Sequence, residues 1–193
     1  ILGHSGAASL CVDAEFAEAG RAAAAISGGV ERFWGLENEA GQTPEDMPSV
    51  NELAAARVDT AALDAIDLSG ADLAQIIYTS GTESRPKGAL LTHDSVIWEY
   101  VTCLADTSIE AGDIMLHALP LYHCAQLDVF LGPSIYVGGT NIITATPSPD
   151  NIIGHIRRRG ITSFFAPPTV WIAILRDPSS TGEALASLKK GYY

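Results

Sequence analysis

Apolar residues along the chain come in short continuous runs, and stretches with helical spacing lie between them. Residues 9–13 (SLCVD) read as a short buried strand. Residues 15–26 are Ala-rich and helical, and Gly28-Gly29 ends them. A second strand fits 30–36. Residues 37–49 (ENEAGQTPEDMPS) are acidic, carry proline and show no period, so they read as a loop. A short helix over 51–57 and a strand over 74–78 (AQIIY) follow. Past a polar stretch, the pattern predicts a strand at 89–91 and a helix at 95–106 capped by Thr92 or Asp94. A strand at 113–119, a helix near 124–135 and a strand at 139–144 come next. Ser148-Pro149-Asp150 starts a helix with Ser as cap and Pro in the first turn, and Gly160 stops it. A strand over 161–165 and a helix opened by Pro167-Pro168-Thr169 complete the series. Strands alternating with helices predict an α/β fold with a largely parallel β-sheet flanked by helices. The expected division is a partial α/β subdomain over 1–68, containing the acidic loop, and an α/β subdomain over 69–193.

The stretch between the strands at 74–78 and 89–91 is long for a turn. It reads Thr79-Ser80-Gly81-Thr82-Glu83-Ser84-Arg85-Pro86-Lys87-Gly88. Its second part nearly matches the phosphate-loop spacing G-x-x-x-x-G-K-[ST], but Pro86 replaces a glycine and Gly88 replaces the magnesium-binding hydroxyl. A strand, not a helix, follows Lys87. That excludes a Walker-type loop. The ingredients still suit a polyphosphate: Gly81 admits close backbone approach, Thr79, Ser80 and Thr82 offer hydroxyls, and Lys87 adds a point charge. A soluble surface hairpin rich in Ser and Thr is the other reading of these residues.

Composition narrows the field. The chain has 193 residues, 47% of them hydrophobic and 18% charged, which is enough to build a core. The formal charge is −12, and no basic cluster exceeds Arg157-Arg158-Arg159, which fits the last turn of a helix. A nucleic-acid partner is therefore not expected. Cys11, Cys103 and Cys124 are odd in number, far apart and without zinc spacing, so a reducing, cytoplasmic setting is expected. Peripheral contact with a membrane is left open. No apolar run reaches the length of a transmembrane segment. His4, His93, His117 and His155 are too scattered for a metal site. The chain starts at Ile1 and ends in SLKKGYY, and both ends read as cut.

The run YTSGTESRPKG resembles the signature loop of the adenylate-forming superfamily, which includes acyl-CoA synthetases, luciferases and peptide-synthetase adenylation domains. The usual pattern is YTSGTTGxPKG. It is matched at Tyr78, Thr79, Ser80, Gly81, Thr82, Pro86, Lys87 and Gly88, with departures at Glu83 and Ser84. Downstream, Leu91-Thr92-His93 is similar to the family's "LSH", Leu119-Pro120-Leu121-Tyr122-His123 to "LPLFH", and Phe164-Phe165-Ala166-Pro167-Pro168-Thr169 to the "GVPT" junction. Within the superfamily, the fatty-acyl-CoA synthetases are the expected neighbours.

The resemblance implies a reaction in two halves: ATP and a carboxylic acid give an acyl-adenylate, and coenzyme A then takes the acyl group. Thr79, Ser80, Gly81, Thr82 and Lys87 would hold the ATP phosphates, with Mg²⁺ shared at Thr82. Tyr122 and His123 would line the acyl pocket, and Lys87 and His123 would be the catalytic residues. Peptide-synthetase domains carry an Asp after the aromatic residue. Here His123 follows Tyr122, and Asp128 lies five residues on, so a fatty or related carboxylic acid is expected rather than an amino acid. Trp171 and Gly132-Pro133 fit core packing better than a tunnel wall. The adenine-binding segment, the ribose-binding Asp and the C-terminal catalytic Lys of the family would lie beyond Tyr193. This chain by itself is therefore expected to be inactive, and its raw sheet edges to favour homo-oligomers. The rival readings are an acyl-AMP ligase that loads a carrier protein and a non-catalytic nucleotide-binding scaffold.

Overall fold

The computed structural model describes residues 1–38, 40–56, 60–79 and 86–193. The chain divides into two compact units, Ile1–Thr92 and His93–Tyr193.

In the first unit, a short helix α1 (Leu2–Ser5) precedes β1 (Ser9–Val12) and α2 (Ala17–Ser27), which leads into β2 (Arg32–Gly35). β1 and β2 pair in parallel, Ser9 opposite Arg32 and Val12 opposite Gly35, because α2 supplies the crossover. Gly28 ends α2 in the left-handed conformation, φ 70°, and its N–H reaches the Ala24 carbonyl. The described residues of the acidic stretch form no helix or strand between β2 and α3 (Val50–Ala55), and Ser49 bridges to Gly35 of β2. The carboxylate of Asp46 in this loop accepts from Arg21 of α2, and Met47 is buried. α4 (Ala61–Asp64) leads to β3 (Leu73–Thr79) and β4 (Lys87–Thr92). These two strands pair antiparallel, whereas the other strand pairs among the described residues are parallel. The connection between them is too short for a helical crossover, so the chain must turn straight back.

The second unit is a parallel sheet with helices on both faces. α5 (His93–Thr107) starts two residues earlier than expected, directly after β4. β5 (Ile114–His117), β6 (Thr140–Ile143), β7 (Ser163–Phe165) and β8 (Lys190–Tyr192) are ordered β6-β5-β7-β8. Between β5 and β6 lie a π-helix (Ala125–Leu131) and α6 (Gly132–Tyr136). α7 (Pro149–Arg159) joins β6 to β7, and α8 (Pro168–Arg176) follows β7. Successive strand residues point to opposite faces, and the two hydrophobic clusters follow that alternation. Leu116 and Phe164 pack with Ile152, Ile153 and Ile156 of α7 and Ile174 of α8. Met115 and Phe165 pack with Phe130 of the π-helix and Leu104 of α5, and the Phe130 and Phe165 rings stack at 4.3 Å. Each such fully buried side chain contributes about 1.5–3 kcal/mol.

Local chemistry explains the helix ends. Pro149 stands in the first turn of α7, Arg157, Arg158 and Arg159 occupy its last turn, and Gly160 closes it at φ 64°. Ser148 takes the N-cap position, but its side chain makes no capping bond. Its hydroxyl instead donates to Asp150, which holds that carboxyl below its ordinary range. The helix expected near 124–135 is π-helical over its first seven residues. Pro133 supplies the reason, since it has no N–H and its ring would press on the carbonyl four residues back in an α-helix. A wider turn just before it removes that conflict. Trp171 is a packing residue, edge-on to Phe164 and donating from Nε1 to the Tyr192 carbonyl at 2.8 Å. Gly132 and Pro133 are also buried. No helix among the described residues is long and apolar enough to cross a membrane.

Candidate active site

In the first unit, the candidate site residues lie on the β3–β4 hairpin. Its register sets Thr79 opposite Lys87 and Tyr78 opposite Gly88, and Thr79, Pro86 and Lys87 are exposed. A hydroxyl and an ammonium thus stand side by side where the ladder ends. Gly88 is required by packing. A Cβ there would lie 2.9 Å from Ile76 Cγ2 and 3.3 Å from the Tyr78 ring, so only glycine lets that ring lie across β4. Tyr78 Oη is 2.7 Å from His4 Nδ1, which pins the ring to α1. Ser80, Gly81 and Thr82 lie outside the described residues, as do Glu83, Ser84 and Arg85.

In the second unit, the candidate site residues lie beyond the carboxyl end of β5. The chain leaves β5 over one sheet face to reach β6, then crosses the other face through α7 to reach β7, on the far side of β5. That reversal makes the carboxyl end of β5 a topological switch point, where open α/β sheets leave a crevice for ligands. His117 is the last residue of β5, and the Pro120–His123 turn follows, closed by the His123 N–H on the Pro120 carbonyl at 3.2 Å. Tyr122 is 87% exposed, and His123 is exposed as well. The Ala125 N–H donates to His123 Nδ1 at 3.2 Å, so the neutral ring carries its proton on Nε2. Cys124 Sγ lies 4.0 Å from the same Nδ1.

Beneath this turn runs a polar chain that pattern reading missed. His117 is fully buried, with Nε2 2.8 Å from Asn141 Oδ1 and Nδ1 2.6 Å from Gln126 Nε2. Burial pushes the His117 imidazole below its ordinary range, partly countered by Asn141, which keeps the ring neutral. Gln126 Oε1 has no partner among the described residues, a cost of about 1–3 kcal/mol. The only signal for this chain in the sequence was a histidine and a glutamine inside otherwise apolar runs. Asp128, two residues on, is also fully buried. Partial burial, and then its charge, push the Glu99 carboxyl and the Tyr100 phenol of α5 above their ordinary values. It therefore faces α5 and does not stand beside Tyr122.

The structure brings Thr79 together with Lys87, and Tyr122 with His123. The AMP-binding enzyme family model matches residues 1–192. The chain belongs to that family. Among its relatives, a feruloyl-CoA synthase from Amycolatopsis sp. is 34% identical over 157 residues, which is 76% of this chain and 32% of the relative. A medium/long-chain-fatty-acid–CoA ligase, FadD8, from Mycobacterium tuberculosis is 30% identical over 139 residues, 72% of this chain and 24% of the relative. The crystal structure of ATP-bound MatB from Rhodopseudomonas palustris superposes with a TM-score of 0.77 at 27% identity, covering 98% of this chain and 35% of that one. The chain thus spans between about a quarter and about a third of the length of these relatives. The α/β fold of an adenylate-forming enzyme, with largely parallel strands and flanking helices, is the one expected.

Proposed function

We propose that the whole protein carrying this chain is an AMP-forming acyl-CoA synthetase that adenylates a fatty or related carboxylic acid and passes the acyl group to coenzyme A. The observation that carries this reading is the Tyr122-His123 pair at the switch point of the sheet. It offers an aromatic face and a neutral Nε2–H donor where an amino-acid substrate would need an anion. A carboxylate oxygen accepts from such a donor, and a plain acyl chain needs no counter-charge. The names of the relatives, an aryl-CoA synthase and a fatty-acid ligase, support a plain acid.

In this reading Thr79, Ser80, Gly81 and Thr82 donate to the β- and γ-phosphates. Lys87 balances the charge that builds on the departing pyrophosphate, which is most of what the protein must supply. Thr79 and Lys87 fit that role, being exposed and paired at the end of one ladder. Magnesium prefers hard oxygen ligands, so the Thr82 hydroxyl and phosphate oxygens suit it, and when bound it shares the phosphate charge. Residues 69–193 contain every residue given a role. This chain alone is inactive in this reading, the whole protein is cytoplasmic, and exposed strand edges join copies into homo-oligomers. A clean monomer in sedimentation at high concentration would count against the last point.

The test of the main reading is ATP–pyrophosphate exchange by the whole protein against a panel of fatty, aryl and amino acids. Exchange with fatty or aryl acids, lowered about a hundredfold by Lys87→Ala, is expected. Exchange with amino acids only, or exchange untouched by Lys87→Ala, would sink it.

A further inference from the structure

The direction of every hydrogen bond beneath His123 can be worked out. Asn141 Nδ2 donates to the Gly139 carbonyl at 3.1 Å, so the atom Asn141 turns to His117 is its oxygen. An amide oxygen only accepts, and His117 must therefore carry its proton on Nε2. Its Nδ1 is then an acceptor and takes the hydrogen bond from Gln126 Nε2. The far side of the same amide, Oε1, is left unsatisfied in a residue 1% exposed. A methionine or leucine would strand His117 Nδ1 in place of Gln126 Oε1, so the exchange is about even in stability, and stability alone does not select the glutamine.

Its position accounts for it. The Gln126 N–H donates to the His123 carbonyl at 3.1 Å, and the Leu127 N–H to the same carbonyl at 3.2 Å. Between these residues, the Ala125 N–H holds His123 Nδ1 at 3.2 Å. His123 is thus held at its backbone carbonyl, and its exposed imidazole at Nδ1, by the first residues of the π-helix. That helix start is tied to the end of β5 through one buried side chain. We propose that Gln126, anchored on His117, is a positioning residue that keeps His123 as an Nε2–H donor facing the acid substrate. This rests on the reading of His123 as an acyl-pocket residue.

The experiment uses the whole protein with ¹⁵N-labelled histidine, comparing wild type, Gln126→Met and His123→Ala by imidazole NMR and by exchange kinetics. In wild type, the His123 signals, assigned by their loss in His123→Ala, are those of the Nε2–H tautomer. Gln126→Met keeps its thermal midpoint within about 3 °C. In it, the His123 signals average between tautomers and the KM for the acid rises about tenfold, while the KM for ATP stays put. A wild-type tautomer in Gln126→Met, or acid and ATP KM values that move together, overturns the proposal. If Gln126→Met does not fold, Gln126→Asn keeps a buried amide too short to reach His117 and is read in the same two ways. Exchange unharmed in His123→Ala removes the pocket reading and this proposal with it. Exchange impaired in His123→Ala but normal in Gln126→Met overturns this proposal alone.

Discussion

Removing the Lys190 ammonium should cost the second unit about 3 kcal/mol at neutral pH, and the cost should fade in acid. Lys190 Nζ donates to Asp113 Oδ2 at 2.7 Å, to the Ser108 carbonyl at 2.7 Å and to Glu110 Oε1 at 3.3 Å. The Asp113 side chain is 3% exposed and that of Lys190 20%, so the pair lies mostly out of water. Asp113 also accepts from the Glu110 N–H and Ser163 Oγ, each at 3.0 Å, and from Thr162 Oγ1 at 3.1 Å. Burial pushes the Asp113 carboxyl up, but the Lys190 hydrogen bond, helped by Glu110 and Ser163, brings it below its ordinary range. Burial likewise pushes Lys190 down, and its hydrogen bonds to Asp113 and Glu110 more than offset that.

Lys190→Met keeps the apolar stem and strands the carboxylate. Breaking a fully buried pair this way costs about 3–5 kcal/mol. Three remaining donors and the partial exposure of Lys190 place the expectation at the low end. The pH dependence has a definite sign. A carboxyl whose pKa is depressed in the folded state stabilises fully above its unfolded value near about 4, and loses that contribution as pH falls through the folded value. The variant has lost most of the depression, so the gap from wild type is full at pH 7 and narrows below about pH 4. On the alkaline side, wild type keeps the Lys190 contribution until pH rises through its raised pKa, above about 10.4.

The assay is urea unfolding followed by the fluorescence of Trp171, whose indole donates to the Tyr192 carbonyl beside Lys190, with Trp34 and Trp98 replaced by Phe. With a slope of about 2 kcal/mol per molar urea, the midpoint should fall by about 1.5 M at pH 7. A fall below about 0.3 M, or one unchanged between pH 7 and 3.5, would refute the account of this pair.

Three further outcomes are expected. Gly132→Ala should destabilise by about 2 kcal/mol in thermal unfolding, because its Cβ would lie 2.3 Å from Tyr100 Cζ; Tyr100→Leu should recover most of that. Gly160→Ala meets no atom within 4 Å, so its cost of about 1 kcal/mol is purely that of placing a side chain at φ +64°; Gly160→Asn should cost less. Ile152→Ala, at a site with no exposure, should cost about 3 kcal/mol in chemical denaturation and raise the unfolding rate.

What could be read from the sequence was whatever local chemistry decides. α7 was legible because Pro149 and Gly160 mark its ends without help from the rest of the chain. β5 and β7 were legible as largely buried apolar runs, and the edge strand β6, which is partly exposed, by its Ile142-Ile143 pair after Gly138-Gly139. β8 was not, because Lys190-Gly191-Tyr192 is a strand only by pairing with β7. β4 was legible as a strand, but its antiparallel register with β3 appears only in the structure. At the candidate site, Lys87 stood out by residue type and spacing, and Tyr122 and His123 through the resemblance of Leu119–His123 to the family's "LPLFH" segment. Gln126 and Asn141 did not, since their roles exist only once His117 is folded between them.

The four-stranded sheet keeps its two polar groups at opposite ends. Asp113 immediately precedes β5 and Lys190 opens β8, while His117, Gln126 and His123 gather where β5 stops. Four residue steps along β5, at about 3.3 Å each, separate Asp113 from His117 by roughly 13 Å. Substitutions that far apart, with no shared partner, add within about 0.3–0.5 kcal/mol. Substrate preference can therefore drift at one end of the sheet while stability is repaired at the other. Neither change constrains the next, which leaves such a sheet unusually free to diverge.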